Sequence, residues 1–161
     1  MTTSFIMAVA DAELSTMPSA PLCFSARHDW FISLCNELDL TPVAHLTSVG
    51  NEFLHCCSAL TSLNLTPLAR LTGVGNWFLS GCSGLTALDL TPITDLTSIG
   101  YGFLFGCSGL TALDLTPFAR FTTMSSSFLS GCKRLTALDL TPLERLTSVG
   151  HSFLAGCYRL T

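Results

Sequence analysis

Hydrophobic and polar positions repeat every 25 residues from Leu38 to the last residue. The segment Leu-x-Leu-Thr-Pro recurs at Leu38–Pro42, Leu63–Pro67, Leu88–Pro92, Leu113–Pro117 and Leu138–Pro142, with no insertion between copies. Within Leu85–Thr91, Leu88 and Leu90 share one face while Ala87, Asp89 and Thr91 share the other, the period of a half-buried strand. Pro92 has no N–H to offer a ladder, so the strand is expected to end there. Ile93, Leu96 and Ile99 follow at spacing three, which suits a coil turning around a core. Gly100 is expected to take a positive φ where the chain turns again. Phe103, Leu104 and Cys107 then return apolar atoms to the interior over a short helical or 3₁₀ turn.

One coil cannot bury its own apolar side, but equivalent coils stacked on each other can, and they also pair their strands from above and below. The expected fold is therefore a repeat solenoid: a right-handed coil with one parallel β-sheet face and short helical or 3₁₀ turns and loops on its other sides. Helical-hairpin repeats are excluded, because such units run to about 33 residues or more and carry no interior proline in every copy. The solenoid is expected over residues 38–161. Residues 22–37 read as an N-terminal cap, with Asp29 starting a short helix through Asn36 and Trp30, Phe31, Leu34 and Cys35 supplying apolar surface. Residues 1–21 read as a loosely ordered lead-in. The last coil stops at Leu160-Thr161, two residues into a sixth strand. The expectation drawn is a fragment of a longer array, or end-to-end self-association.

The units resemble leucine-rich repeats. Leu60-x-x-Leu63-x-Leu65, Leu85-x-x-Leu88-x-Leu90, Leu110-x-x-Leu113-x-Leu115 and Leu135-x-x-Leu138-x-Leu140 match the LxxLxL core. The order Val74-Gly75-Asn76-Trp77-Phe78, Cys82, Leu85, Leu88, Leu90, Pro92 is similar to the BspA-like subclass, and kinetoplastid parasites carry very similar units. The resemblance implies a protein-binding solenoid of a kind frequent on microbial and protozoan surfaces. The sequence departs from common leucine-rich repeats where an asparagine would tie consecutive turns; Val43, Leu68, Ile93, Phe118 and Leu143 stand there, so no asparagine ladder is expected. The fourth repeat has Met124-Ser125 in place of Val/Ile-Gly, and its turn is expected to differ.

Composition narrows the picture. Hydrophobic residues make up 48% and charged residues 11%, with a mean hydropathy of +0.53, which excludes a disordered tail. The net charge is −4 with no run of Lys or Arg, which argues against nucleic acid as a partner. No stretch approaches the roughly 20 apolar residues of a membrane span. Phe5–Ala10 ends in a small-x-small triplet, but no cation precedes its short apolar run, so the location leans intracellular with the cell surface as the alternative. Five of the eight cysteines, Cys57, Cys82, Cys107, Cys132 and Cys157, follow the 25-residue period. They read as buried thiols filling one niche, not as a disulfide framework. The groups His55-Cys56-Cys57 and Cys23, His28, Cys35 lack the paired spacing of a zinc site. No phosphate loop, nucleophile elbow or metalloprotease motif occurs. No catalytic residue, metal or cofactor is expected, and the chain reads as non-enzymatic.

Function is expected on the columns that stacking creates. Asp39, Asn64, Asp89, Asp114 and Asp139 form an outward column, flanked by Thr41, Thr66, Thr91, Thr116 and Thr141 on one side and by Glu37, Ser62, Ala87, Ala112 and Ala137 on the other. Strand spacing of about 5 Å sets neighbouring carboxylates against each other, so threonine hydroxyls, cations or a basic partner must offset the repulsion. The functional candidates are therefore Asp39, Asn64, Asp89, Asp114, Asp139, Thr66, Thr91, Thr116 and Thr141, binding a protein or peptide of basic character. The alternative is a structural or antigenic array without a ligand, and ice or mineral binding by the threonines is a remote third. Asn64-Leu65-Thr66 is also a glycosylation sequon. His45, Arg70, Asp95, Arg120 and Arg145 read as a solvated charged edge. Trp77 and Tyr101 stand among polar equivalents and are modest interface candidates.

Overall fold

The computed structural model describes residues 38–161, and the expected lead-in (1–21) and cap (22–37) lie outside the described residues. Each period folds as one coil of a repeat solenoid. A 3₁₀ turn opens it, at Thr41–Val43, Thr66–Leu68, Thr91–Ile93, Thr116–Phe118 and Thr141–Leu143. A two-residue strand follows: β1 (Ser48–Val49), β2 (Gly73–Val74), β3 (Ser98–Ile99), β4 (Thr123–Met124) and β5 (Ser148–Val149). The strands pair in parallel one repeat apart, Ser48 opposite Gly73 and Gly73 opposite Ser98. Among the described residues no helix is long and apolar enough to cross a membrane.

The parallel sheet is present but not where the alternation placed it. Leu88 and Leu90 do point inward and Asp89 outward, yet Leu85–Thr91 forms no strand. Among the described residues, ladder contacts in that column are confined to an Ala112–Ala137 bridge and bonds such as Thr136 N–H to the Thr111 carbonyl at 3.1 Å. Local bonds consume the groups a ladder needs. The Asp89 carboxylate takes the Thr91 N–H at 2.9 Å, and Leu90 bends to φ −96°, ψ −4°. Side-chain bonds to nearby backbone compete with regular pairing in this way. Pro92 ends the extended run as expected, by seeding the 3₁₀ turn whose first positions tolerate its missing N–H. Strand pairing then moves to Ser98–Ile99, where N–H groups are free to reach the neighbouring coil.

The expected role of Gly100 is also corrected. It is not among the residues with positive φ. Its hydrogen side lies against Gly75 and Asn76 of the preceding coil, and an added Cβ would overlap that backbone. Gly75 stands likewise 2.5 Å, at its would-be Cβ, from the Gly50 carbonyl carbon. Glycine is required there for close approach of coils. In the fourth coil Ser125 replaces it, and its Oγ donates to the Gly100 carbonyl at 2.7 Å. The sheet breaks at that coil into β1-β2-β3 and β4-β5, so the expected local difference is real.

Positive φ occurs instead in the segment expected to be helical, on alternate residues. Trp77, Leu79 and Gly81 have φ of 59°, 53° and 74°. The alternation sends successive N–H groups to opposite neighbours: Trp77 to the Tyr101 carbonyl at 2.8 Å, Leu79 back to Phe53 at 2.9 Å, Gly81 forward to Phe105 at 2.7 Å. A left-handed leucine costs roughly 1–2 kcal/mol. Inter-coil bonds and burial offset that cost, because Leu79 and its equivalent Leu104 are wholly buried.

Phe53, Phe78, Phe103, Phe128 and Phe153 form a stack through the interior, with ring centroids 5.2–5.7 Å apart and planes within 15° of parallel. Phe118 meets Phe103 and Phe128 edge-on at 5.4 Å. The cysteine column runs beside it, and Cys57, Cys82, Cys107 and Cys132 are buried. These thiols do more than fill space. Cys82 Sγ donates to the Leu54 carbonyl at 3.0 Å, Cys107 to Leu79 at 3.1 Å, Cys132 to Leu104 at 3.4 Å and Cys157 to Leu129 at 3.2 Å. Each acceptor belongs to a left-handed leucine of the preceding coil, whose carbonyl the turn leaves facing the interior. A thiol is small and apolar enough to bury, yet able to donate. Burial pushes the Cys107 thiol far above its ordinary range and the Cys132 thiol up to about 12.

Two outcomes follow from this core. Leu115 is 1% exposed while Leu140, one repeat later in the last coil, is 45% exposed. Denaturant melts should therefore show Leu115→Ala losing about 2–5 kcal/mol, and Leu140→Ala less than about 1 kcal/mol. Because all three thiols are shut away from solvent, iodoacetamide at pH 8 should leave Cys82, Cys107 and Cys132 unmodified in the folded protein. Mass spectrometry should find all three alkylated once guanidinium unfolds it.

Candidate binding surfaces

The aspartate column forms as expected, on the outer side of the extended run. Asp39, Asn64, Asp89, Asp114 and Asp139 are all exposed, as are Thr41, Thr66, Thr91, Thr116 and Thr141. Each side-chain oxygen Oδ1 accepts the N–H of the residue two positions on: Thr41 at 2.8 Å, Thr66 at 2.9 Å, Thr91 at 2.9 Å, Thr116 at 2.8 Å and Thr141 at 2.8 Å. These are Asx turns that launch the 3₁₀ turns. Asn64 makes the same bond without a charge, so the carbonyl geometry, not the negative charge, sets the turn.

The repulsion between carboxylates is met largely by the threonines. Thr91 Oγ1 donates to Asp89 at 2.6 Å and Thr116 Oγ1 to Asp114 at 2.6 Å. Hydrogen bonds from the Thr41, Thr91, Thr116 and Thr141 side chains, and then from their backbone, hold Asp39, Asp89, Asp114 and Asp139 below the usual carboxylate range. At Asp114 the charges of Asp89 and Asp139 push weakly the other way. The column is therefore a row of exposed carboxylates held toward their charged form, with Asp114 at its centre feeling both neighbours. His45, Arg70, Asp95, Arg120 and Arg145 are exposed along their own line, as expected of a solvated edge.

A second surface gathers residues that the repeat pattern alone does not connect. Trp77 sits at a left-handed position whose equivalents are Glu52, Gly102, Ser127 and Ser152, all with positive φ. Its indole lies over Gly102, where any Cβ would overlap the ring. Tyr101 and Phe105 stand nearly perpendicular to it, with centroids at 5.1 and 5.3 Å, and His55 approaches from the preceding coil at 6.4 Å. Tyr101 is 45% and Phe105 38% exposed. Glu52, His55, Trp77, Ser80 and Phe105 line an open recess of about 300 Å³. Trp77 and Tyr101 were legible as unusual substitutions; Phe105, His55 and Glu52 join them only through stacking. The clue in the sequence is Gly102, the missing side chain directly after Trp77 in its column.

Asparagines tie coils here after all, but at another position from the one that common leucine-rich repeats use. Asn51 Oδ1 accepts the Asn76 N–H at 2.9 Å, and Asn76 Oδ1 accepts the Tyr101 N–H at 3.0 Å. Both follow the glycines of close approach, where coils meet with a backbone donor facing the adjacent turn. The short ladder fixes the backbone of Tyr101 beside the recess.

A known protein shares this architecture. The crystal structure of the Treponema pallidum leucine rich repeat protein TpLRR superposes with a TM-score of 0.58 at 24% identity, covering 73% of this chain and 51% of that one. The chain thus spans about half the length of that protein. The functional domain of InlJ from Listeria monocytogenes, described as including a cysteine ladder, gives a TM-score of 0.33 at 22% identity, over 78% of this chain and 33% of that one. A search of the curated proteins found no match. The sequence profile of the BspA type leucine rich repeat region matches six copies over residues 30–161. With coils, 25-residue units and sequence profile in agreement, the chain belongs to the BspA-type leucine-rich repeat family.

Proposed function

We propose that the protein is a non-enzymatic interaction module that binds a protein or peptide of basic character across its acidic column. Fold alone does not name a ligand, so the reading rests on one observation: carboxylates repeated coil after coil stay exposed and ionised, and Asp114 senses both neighbours. Such a row makes an extended negative field that steers and orients cationic partners. Asp39, Asp89, Asp114 and Asp139 supply the charge. Thr66, Thr91, Thr116 and Thr141 flank it with hydroxyls. The hydrogen bonds to these carboxylates fall on Oδ1, which leaves the second oxygen of each for a donor on the partner.

Substitution to asparagine separates charge from architecture, since Asn64 already makes the Asx turn. The triple variant Asp89→Asn, Asp114→Asn, Asp139→Asn should keep its circular dichroism spectrum. Its affinity for a synthetic lysine-rich peptide, measured by calorimetry at low salt, should fall about tenfold or more, a loss of about 1.4 kcal/mol. Unchanged affinity, or no binding by the parent chain, would leave the column as a capping device in a structural array. Lowering the pH gives an independent check. Carboxylates held below their usual range keep their charge down to about pH 4. Peptide binding should therefore hold from pH 7 to that point and disappear as pH falls through the lowered range.

A further inference from the structure

We propose that the recess around Trp77 is a binding site for the methylated ammonium group of a lysine side chain on a partner protein. Its residues are separate from the aspartate column, and the inference stands whether or not that column binds anything.

The argument begins with what the coil tolerates at this position. Four of the five equivalents are Glu52, Gly102, Ser127 and Ser152, small or polar residues suited to a left-handed backbone. The left-handed backbone here is held by the same inter-coil bond as in the other coils, Trp77 N–H to the Tyr101 carbonyl, but a bulky aromatic at φ 59° is unusual and its ring needs a place of its own. Interior packing is not what holds it. The buried phenylalanine stack runs through Phe53, Phe78 and Phe103, while Trp77 is only partly buried and its ring meets the exposed Tyr101 and Phe105 and the part-buried His55. Gly102 leaves the space that the indole occupies. The result is an aromatic corner on the outside of the solenoid, with Trp77 and Phe105 as walls at 88° to each other.

The lining defines the occupant. Ring faces attract cations within about 6 Å of the centroid, tryptophan most strongly. Glu52 on the preceding coil lines the same recess and brings an acidic residue to it, and the chain as a whole carries −4. An unmodified lysine would need acceptors for three N–H groups, and the polar side chains in the recess are few: Glu52, His55 and Ser80, with Ser80 1% exposed. A trimethylated ammonium has no N–H to satisfy, spreads its charge over methyl groups and favours apolar walls. A recess of about 300 Å³ accommodates it with part of its alkyl stem.

The test uses the full 161-residue chain and three probes: N-acetyl-trimethyllysine amide, the unmodified lysine amide, and the neutral isostere in which carbon replaces the quaternary nitrogen. Indole proton shifts and calorimetry read binding. The expected result is saturable binding of the trimethylated probe, about tenfold tighter than the isostere, as a partly desolvated cation–π contact requires. Trp77→Ser should abolish it, while Ser127 and Ser152 show that serine fits this backbone. Glu52→Gln, which keeps the shape of the recess, should weaken it about threefold and carries the test if the first variant fails to fold. Equal binding of the isostere, tighter binding of unmodified lysine, or no saturation by any probe would overturn the proposal. So would a stronger response to phosphocholine micelles than to the lysine probe, since the source would then be a lipid headgroup.

Discussion

The structure depends on one constraint: coils of 25 residues carry too little regular structure to satisfy their own backbone, so donors and acceptors must be met one coil away. Two-residue strands meet only a small part of this requirement. The rest falls to the segment around Trp77–Gly81, where φ alternates in sign and successive N–H groups reach the coil ahead and the coil behind. That arrangement forces leucines into a left-handed conformation and turns their carbonyls toward the interior. The cysteine thiols then supply the donors. Glycine at 75 and 100 allows the coils to come close enough for these bonds to form, and where Ser125 intervenes the sheet breaks. Backbone pairing, side-chain identity and coil spacing are therefore a single solution.

The same economy shapes the surface. Each aspartate in the outer column is held by the turn it caps, so its repetition has a structural cause that requires no ligand. Repetition nevertheless aligns the charges, and the threonines that complete the turns also keep the carboxylates ionised. A capping residue thus becomes a surface field through stacking alone. The aromatic recess arises in the opposite way, from departures. Trp77, Gly102, Tyr101 and Phe105 break their columns at neighbouring places, and the breaks converge in space. Here the regular columns maintain the fold, and the clustered irregularities build the recess.

Much of this was written in the order of residues. The 25-residue period fixed the solenoid, the inward leucines, the buried cysteines and the outward aspartates, because stacking converts a sequence period directly into columns. The alternation at Leu85–Thr91 correctly assigned faces but not pairing. Period-two patterning reports which side chains are buried, whereas strand formation depends on whether N–H groups are already taken, and Asp89 and Pro92 remove two donors or their availability. Gly100 was likewise recognisable as indispensable, but close approach and positive φ leave the same glycine in a sequence. Distinguishing them requires knowing what lies on the adjacent coil.

The sequence by itself thus determined the repeat, its stacking, its core and its family, since each follows from spacing along one dimension. Tertiary structure decided where the parallel pairing falls, which groups bond between coils, and that Glu52, His55, Trp77 and Phe105 share one recess. Those outcomes depend on contacts between residues about 25 or 50 positions apart and on competition for backbone hydrogen bonds. Neither is visible until the coils are laid one upon another.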